Sequence, residues 1–260
     1  MNGMETPPLP DTLYKYCPFD LTRLRQTILR SEAWFTIPLH FNDPFDCRPY
    51  VDVAGSLDQQ KRWVEDLIRR NVGKQATKVQ VAAAEHLRAS LEKHGFEGLL
   101  GTDLRSQALD ELLSNLGVLS LSSRADSTLM WSHYAAQHKG VCLGFSSSED
   151  PFSKALPVVY NDARPSYRLF DEDRKDLVET FVLRKAADWQ YEREWRVALP
   201  NRTGVQSISP KALVRVIFGA RMSEDEKDVL RWIVESLDRP VEILQASFDH
   251  KTFNMHLGDA

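Results

Sequence analysis

Hydrophobic residues recur along this chain with two spacings, and each spacing predicts a different kind of element. In "DLTRLRQTILRSE" the apolar residues are three or four positions apart, which predicts an amphipathic helix that begins at Asp20 or Thr22. A second such pattern follows Ser223, and Glu226 three residues later predicts a capping box. Further helices are predicted over residues 57–72, 76–94, 103–116, 127–138 and 171–187.

Short stretches rich in apolar and β-branched residues predict the strands. They lie at residues 12–16, 33–38, 117–123, 140–146, 157–162, 189–199, 213–219 and 241–247. The last of these is expected to close the sheet. Strands and helices alternate without a regular βαβ rhythm, which favours an α+β fold. We expect a tail at residues 1–11 and a single α+β domain over 12–260, with 57–116 as a helical insert or cap.

The composition is typical of a globular protein with a sizeable core, at 260 residues, 42% hydrophobic and 27% charged. A net charge of −4 gives no overall basic bias toward nucleic acid. No stretch approaches the roughly eighteen apolar residues of a membrane span. The three cysteines lack zinc-ligand spacing, and Cys142 lies between apolar residues, so it is expected to be buried and unreactive. We therefore expect a reduced, cytoplasmic protein without membrane contact.

Four stretches contain more polar and aromatic groups than packing requires, namely "LYKY", "HFNDPFD", "MWSHYAAQHKG" and "YEREWR". Each also has a purely structural interpretation. The first fits strand packing, and the second fits a self-capping turn around Pro44. The third fits a helix that faces the core, and the fourth fits a charged strand face.

The stretch "YEREWR" poses the sharpest question. In an extended strand, Glu192, Glu194 and Arg196 would point to one face. Two neighbouring carboxylates repel each other, so a structural strand gains nothing from them unless cations or water compensate. The stretch is therefore either a solvated edge strand or a catalytic carboxylate with a helper.

The motifs of several enzyme classes are absent, including GxSxG, the Walker loop, GxGxxG after a strand and HExxH. His133 and His138 are five residues apart, which is the wrong spacing for two metal ligands on one helical face. A metal-dependent nuclease stays open as a third hypothesis, with a carboxylate set of Asp43, Asp46, Glu192 and Glu194.

A site for a dinucleotide needs cations or backbone donors for the phosphates and aromatic side chains for the flat rings. The candidate donors are Lys15, Arg124 and His133. The candidate ring partners are Trp131, Tyr134, Phe41 and Phe45.

The stretches "LYKY", "FNDPFD", "MWSHYA", "HKGVCLGF" and "YEREWR", in this order, resemble the signature of a widespread bacterial family of unknown function. This resemblance covers the chain from Leu13 to Arg196. More distantly, the order of elements resembles the ADP-ribosyltransferase superfamily, including its DNA-modifying toxin branch. The superfamily resemblance implies a split, mainly antiparallel sheet that grips NAD+ in a cleft.

The same resemblance implies roles for individual residues. Lys15 takes the place of the His or Arg of the first motif. The second motif would be supplied by Ser120, Ser122 and the ring-stacking Tyr134. "Glu-Arg-Glu" at 192–194 matches the third motif, with Glu194 as the catalytic carboxylate and Glu192 as its neighbour. The physical requirements of an NAD+ site add Tyr16, Arg124 and His133 as candidate contacts. They also make Phe41, Asn42, Asp43 and Asp46 a candidate substrate loop over the cleft, in which Asn42 and Asp43 either shape the turn or touch the substrate.

The function implied by the resemblance is that of an NAD+-dependent ADP-ribosyltransferase, acting as a toxin, effector or anti-phage protein. NAD+ would be its substrate, no metal is expected, and the acceptor would be protein, nucleic acid or a small molecule. An antitoxin is a further expected partner. The alternative from a different class is a nucleotide-binding module that keeps the fold without turnover.

Overall fold

The computed structural model describes residues 7–71, 77–99, 110, 113–170 and 181–260. Its strands are β1 (Thr12–Cys17), β2 (Glu32–Phe35), β3 (Tyr50–Asp52), β4 (Leu116–Ser122), β5 (Val141–Ser146), β6 (Leu156–Pro157), β7 (Val159–Tyr160), β8 (Ser166–Arg168), β9 (Arg184–Lys185), β10 (Glu194–Pro200), β11 (Gly204–Ser207), β12 (Leu213–Phe218), β13 (Glu242–Phe248) and β14 (Met255–Asp259). Its α-helices are α1 (Leu21–Arg30), α2 (Leu57–Asn71), α3 (Lys78–Leu99), α4 (Thr128–Tyr134) and α5 (Glu224–Glu235).

Eight strands form one large sheet in the order β14, β13, β12, β5, β1, β4, β10, β6. Neighbouring strands run antiparallel except β12 and β13, which are parallel. The expected combination of helices with a large, mainly antiparallel sheet is confirmed. No helix within the described ranges is long and apolar enough to cross a membrane.

The strand β1 is joined very differently to its two neighbours. It pairs along its whole length with β5, from Thr12 to Cys17. With β4 it shares a single residue pair, Tyr14 opposite Ser122. The strand β4 instead pairs along its length with β10. The large sheet is thus held together at one point between β1 and β4, and the two strands are unpaired beyond it.

Different helices cover the two faces of the large sheet. On one face, α1 and α5 contribute Leu24 and Leu230 to an apolar core. On the other face, α4 contributes the fully buried Trp131, whose ring meets Tyr16 edge-to-face. Both cores reach β1, because successive residues of a strand point to opposite faces.

The two helix starts that capping residues mark in the sequence are confirmed. The Asp20 carboxylate caps α1 by accepting from the backbone N–H groups of Thr22 and Arg23. In α5, Ser223 and Glu226 form the predicted capping box. Side-chain capping satisfies N–H groups that have no partner within the helix, which fixes where the helix begins.

The region predicted as a helical insert is partly helical. The helices α2 and α3 pack beside the small sheet formed by β3 and β8, where Trp63, Phe96 and Phe170 meet edge-to-face. The helix predicted over 103–116 falls mostly outside the described residues. Leu116 itself begins β4 instead.

Residues 171–180 of the helix predicted over 171–187 lie outside the described residues. Residues 181–182 are helical, and the prediction is wrong from residue 183 onward. Residues 184–185 form β9, and a 3₁₀ helix, Ala187–Glu192, follows. The physical reason is the pairing with β7: the backbone oxygen of Leu183 accepts from the N–H of Val159 at 2.8 Å, and Arg184 and Lys185 pair with Val159 and Tyr160.

The strand predicted over 189–199 begins five residues late, at Glu194. Glu192 ends the preceding 3₁₀ helix, and Arg193 has left-handed backbone angles with φ of 44°. The ladder stops because β4 ends at Ser122, the partner of Glu194. Glu192 therefore does not share a strand face with Glu194, contrary to the sequence prediction.

Two further expectations are corrected at the ends of elements. The helix predicted over 127–138 ends at Tyr134, because Ala136, Gln137 and His138 all have positive φ. The strand predicted to close the sheet does not, since β14 pairs beyond it at the edge. The sequence of β14 is short and contains His256 and Gly258, so it carries little strand signal.

Candidate functional site

A cavity of about 400 Å³ opens where β1 and β4 part. From β1 its wall includes Tyr14, Lys15 and Tyr16, and from β4 it includes residues 118 and 120–122. The remaining wall comes from α4, from the loop before β3 and from the segment that leads into β10. Elements that are distant in sequence therefore meet at the one point where the large sheet is held by a single residue pair.

Lys15 extends from β1 across this cavity toward β4. Its ammonium group donates to the backbone oxygen of Ser120 at 3.0 Å. Burial lowers the pKa of Lys15, although the nearby carboxylates of Glu194 and Glu192 act in the opposite direction. Among the described residues, Lys15 has no carboxylate in ion-pair contact, so its side chain is available to an anionic ligand.

The floor of the cavity is a buried ion cluster, a name we use for Asp46, Lys185, Glu192, Glu194 and Arg196. All five side chains are at most 5% exposed. Charged side chains are almost never fully buried unless they are paired. The three carboxylates and two cations of this cluster meet that condition through mutual contacts.

Arg196 is the centre of the buried ion cluster. Its guanidinium donates two hydrogen bonds to Asp46, at 2.8 and 2.6 Å, and two to Glu194, both at 2.8 Å. A further N–H group of Arg196 donates to the backbone oxygen of Val182 at 2.6 Å. The ring of Phe41 lies 5.2 Å from the guanidinium carbon. Such forked bonds to carboxylates fix orientation as well as charge.

Glu194 is held as a permanent anion. Burial would raise the pKa of its carboxyl, but the charges of Arg196 and Lys185 outweigh that effect and lower the pKa to about 2. Its backbone N–H donates to the Tyr160 hydroxyl at 2.8 Å, which anchors the first residue of β10. Glu194 is therefore ionised and fixed at any physiological pH.

Glu192 has the opposite character. Burial raises the pKa of its carboxyl, the charge of Lys185 opposes that rise, and the negative charge of Glu194 adds to it. One oxygen accepts from the Tyr134 hydroxyl at 2.6 Å, and the other accepts from Lys185. Two carboxylates whose pKa values are pushed apart are a common sign of separate roles in acid–base chemistry.

Lys185 touches all three carboxylates of the cluster. Its ammonium nitrogen contacts Glu192, lies 3.2 Å from Glu194 and lies 3.6 Å from Asp46. It also lies 4.8 Å from the centre of the Trp189 ring. Burial alone would lower the pKa of Lys185, but the three carboxylates raise it, so the side chain is charged.

The rim of the cavity is aromatic and connects to the floor through Tyr134. Asn42 donates to the Tyr134 hydroxyl at 3.4 Å. His133 lies at hydrogen-bond distance from the Tyr191 hydroxyl, 3.0 Å, and its ring meets both tyrosine rings edge-on. The helix α4 places both His133 and Tyr134 here, and Ser127 caps its first turn.

The structure brings together most of the site residues predicted from the sequence. The predicted residues that line the cavity are Lys15, Tyr16, Phe41, Asn42, Asp46, Ser120, Ser122, His133, Tyr134, Glu192 and Glu194. Two of them use their hydroxyl groups to hold the backbone of the protein itself. The Tyr16 hydroxyl donates to the backbone oxygen of Arg124 at 2.8 Å, and the Ser122 hydroxyl donates to that of Glu192 at 2.7 Å.

Four predicted residues do not line the cavity. Arg124 is exposed and pairs with Asp126. The Asp43 carboxylate caps its own turn by accepting from the backbone N–H of Phe45 at 2.9 Å. Phe45 points to solvent, with 62% exposure, and Trp131 is fully buried in the core beside α4. The self-capping interpretation of "FNDPFD" thus applies to Asp43, while Asp46 joins the ion cluster.

Sequence reasoning missed Lys185 and the role of Arg196. Lys185 was hidden because its segment was predicted to be a helix. A signal for Arg196 was present, since its spacing of two from Glu194 places both on one face of β10. The need of buried carboxylates for cations would have pointed to it.

The carboxylates of the cluster are unsuited to a metal ion as they stand, because Lys185 and Arg196 occupy the oxygens that a metal would need. Within the described residues, no group of three or more His, Cys, Asp or Glu side chains is arranged to hold a metal ion. His133 lies at the rim, and His138 is buried with its ring bonded to Ser132.

Comparison with known proteins gives one match. The model of a family described as "Protein of unknown function (DUF2971)" matches residues 130–197. This part of the chain is therefore similar to that family, and it includes Tyr134, Lys185, both glutamates of the cluster and Arg196. No curated protein and no solved structure matches the chain.

Proposed function

We propose that this protein is an NAD+-consuming ADP-ribosyltransferase whose substrate binds in the cavity between β1 and β4. The observation that carries the proposal is that Lys15, Tyr134 and Glu194 line a single cavity. These are the residues to which the superfamily resemblance assigns the first, second and third motifs. They come from β1, α4 and β10, which are distant from one another in the sequence.

The size and polarity of the cavity support a nucleotide ligand. Its volume of about 400 Å³ lies in the range of small-molecule sites, about 300–1,000 Å³. Among the described residues, Lys15 forms no ion pair with a carboxylate, so it can bind a phosphate. Phe41 and Tyr134 supply aromatic rings at the rim of the cavity. A cavity lined by Lys15 and by flanking rings suits the pyrophosphate and flat rings of NAD+.

The sheet supports the finer fold assignment. A split antiparallel sheet is the ADP-ribosyltransferase type of architecture, and the single pair between Tyr14 and Ser122 divides this sheet at the cavity. We propose that the two parts of the sheet are the two sides of the NAD+ cleft.

The chemistry divides between the two glutamates. The bond between nicotinamide and the ribose breaks, and nicotinamide leaves with the bonding electrons. The fixed charge of Glu194 faces the positive charge that develops on the ribose, as preorganised groups do in electrostatic catalysis. The acceptor then bonds to the ribose carbon, and Glu192 takes the proton that the acceptor loses.

The acceptor and the biological setting are part of the same proposal. A macromolecule, either protein or nucleic acid, is the acceptor that a toxin, effector or anti-phage protein would modify. An antitoxin partner follows from such a role. The rim residues His133 and Tyr191 are exposed or half-buried beside Glu192, so an acceptor can approach the proton-accepting carboxylate.

One observation favours the alternative of a binding module without turnover. Both oxygens of Glu194 already accept from Arg196, and one also accepts from Lys185. A carboxylate so fully paired gives less stabilisation to a new cation than a free one would. On this alternative the cavity binds a nucleotide, and the ion cluster only maintains its shape.

Radiolabelled NAD+ tests the proposal directly. The protein is incubated with NAD+ and total cell extract, and released nicotinamide and macromolecule-bound label are measured. Glu194→Gln should lower NAD+ consumption by about a hundred- to thousandfold, since one preorganised electrostatic contact is worth about that much. NAD+ affinity should barely change, because the charge matters most in the transition state. Glu235→Gln, at an exposed position on α5, is the matched control.

The outcomes separate the candidate functions. Label that survives protease but not nuclease, or the reverse, identifies the class of acceptor. Binding of NAD+ without release of nicotinamide supports the binding module. If the wild-type protein neither binds nor consumes NAD+ in any extract, the transferase proposal is wrong. If Glu194→Gln consumes NAD+ at the wild-type rate, the role given to Glu194 is wrong.

A further inference from the structure

Lys185 is the residue of the cavity floor that neither the sequence motifs nor the superfamily resemblance assigns. It lies in β9, two residues before the 3₁₀ helix that ends at Glu192. Its side chain is 4% exposed and lines the cavity. It is also the one group of the ion cluster that contacts all three carboxylates.

The two cations of the cluster divide the carboxylates unequally. Arg196 binds Asp46 and Glu194 through forked hydrogen bonds and has no hydrogen bond to Glu192 among the described contacts. Glu192 therefore depends on Lys185 for its ion pair and on Tyr134 for its remaining bond. Loss of Lys185 would leave Glu192 buried beside the negative charge of Glu194.

We propose that Lys185 is a positioning residue that holds Glu192 ionised and directed at Tyr134, so that Glu192 can accept a proton from a bound acceptor. This inference rests on the proposed function for the identity of the reaction. Its structural part, the control of Glu192 by Lys185, stands independently of that reaction.

Several groups besides Lys185 face Glu192, and each bears on its ionisation. The charged and titratable groups around it are Glu194, Arg196, Asp46, Lys15, Tyr134, Tyr160 and Tyr191. Burial and Glu194 favour the protonated form of Glu192, and Lys185 opposes them. An opposite charge within about 4–6 Å commonly shifts a carboxyl pKa by about 1–3 units.

The first arm of the test needs no NAD+. Carboxyl-carbon NMR of glutamate-labelled protein follows the titration of Glu192, with its resonance assigned by its loss in Glu192→Gln. In Lys185→Met the titration midpoint of Glu192 should rise by about one to three units. Lys185→Arg keeps the charge and should return the midpoint toward the wild-type value. Lys227→Met, which removes a lysine paired with Glu224 on α5, should leave it unchanged.

Lys185→Met removes a buried cation. A second variant, in which a carboxylate is removed as well so that the charges balance, is measured for the case in which Lys185→Met does not fold. Lys185→Met combined with Asp46→Asn removes one cation and one of its carboxylates, and Glu192 remains observable. The same rise of the midpoint is expected. A Glu192 midpoint equal to that of the wild type in either folded variant overturns the proposal.

The second arm is the pH profile of NAD+ consumption, measured as kcat/KM. The acid limb of the profile should move upward in Lys185→Met by the same shift as the Glu192 midpoint, and Lys185→Arg should restore it. A midpoint that moves while the acid limb stays in place overturns the role of Lys185 in the reaction. If the wild-type protein consumes no NAD+, the proposed function fails, and the NMR arm still decides whether Lys185 controls Glu192.

Discussion

The core under α1 and α5 and the ion cluster at the cavity floor are both buried, but different forces hold them. The first consists of apolar side chains such as Leu24 and Leu230, whose burial is favourable without any particular orientation. The second requires oriented contacts among five charged side chains around Arg196. Buried ion networks are often no more stable than apolar residues of the same volume. Such a network beside a cavity therefore indicates a role in function.

The comparison predicts that the ion cluster is the more fragile of the two regions. Arg196→Met leaves Asp46 and Glu194 buried without their main partner, and breaking a buried pair in this way costs about 3–5 kcal/mol. We expect that loss in the free energy of unfolding, measured by urea denaturation at neutral pH. The loss should shrink in acid, where the two carboxylates become protonated. A loss that does not depend on pH would contradict the electrostatic explanation.

The apolar core should respond to truncation without regard to pH. Leu230→Ala removes a fully buried side chain of α5 and should cost about 2–5 kcal/mol, depending on how far the core collapses. The same denaturation series at neutral and acidic pH is the measurement. Equal losses at both values are expected, since the cluster to which Leu230 belongs consists of apolar side chains.

Within the ion cluster, the two glutamates should affect stability with opposite signs. The folded-state pKa of Glu194 is depressed, so its contribution is present above about pH 4.5 and is lost as the pH falls toward about 2. Glu194→Gln should therefore cost roughly 1–3 kcal/mol at neutral pH, and the difference from the wild type should vanish in acid.

The pKa of Glu192 is raised in the folded state, so its ionisation reduces stability as the pH rises through that value. Glu192→Gln should leave the protein as stable as the wild type at neutral pH, or more stable. Thermal melts between acidic and neutral pH measure both variants, with Glu235→Gln as the common control. Equal destabilisation by both substitutions would refute the division of roles.

The smallest effect is expected at the start of α5. Ser223→Ala removes one half of the capping box and should cost about 1 kcal/mol, while Ser223→Asn should restore most of it. Equilibrium unfolding of the two variants is the measurement. This local effect separates the contribution of a helix start from that of the core beneath it, and it should leave ligand binding at the cavity unchanged.

The parts of the fold that depend on local signals were predictable from the sequence. The caps at Asp20 and Ser223 and most strands of the large sheet follow from patterns within a few residues. Of the predicted site residues, Lys15, Tyr134 and Glu194 line one cavity, and their roles there stay predictions. Its identification as an NAD+ site stays a prediction.

The parts that were missed depend on contacts between distant segments. The start of β10 at Glu194 is set by the end of β4, which no local pattern around residue 192 records. The position of Lys185 is set by three carboxylates, one of them in the loop near residue 46. The edge strand β14 has few apolar residues because little of it faces a core, so it resembles a loop in sequence.

The left-handed backbone at Arg193 has a consequence for which substitutions this segment tolerates. For a residue other than glycine, these left-handed backbone angles cost roughly 1–2 kcal/mol of conformational free energy. The cost is largest for β-branched residues. Its N–H also donates to the backbone oxygen of Gln190, which excludes proline. In a library of all twenty residues at this position, the enriched set should therefore be Gly, Asn and Asp. The side chain at position 193 is exposed, so packing places no requirement on its chemistry. The backbone angles are what limit the residue types at this position.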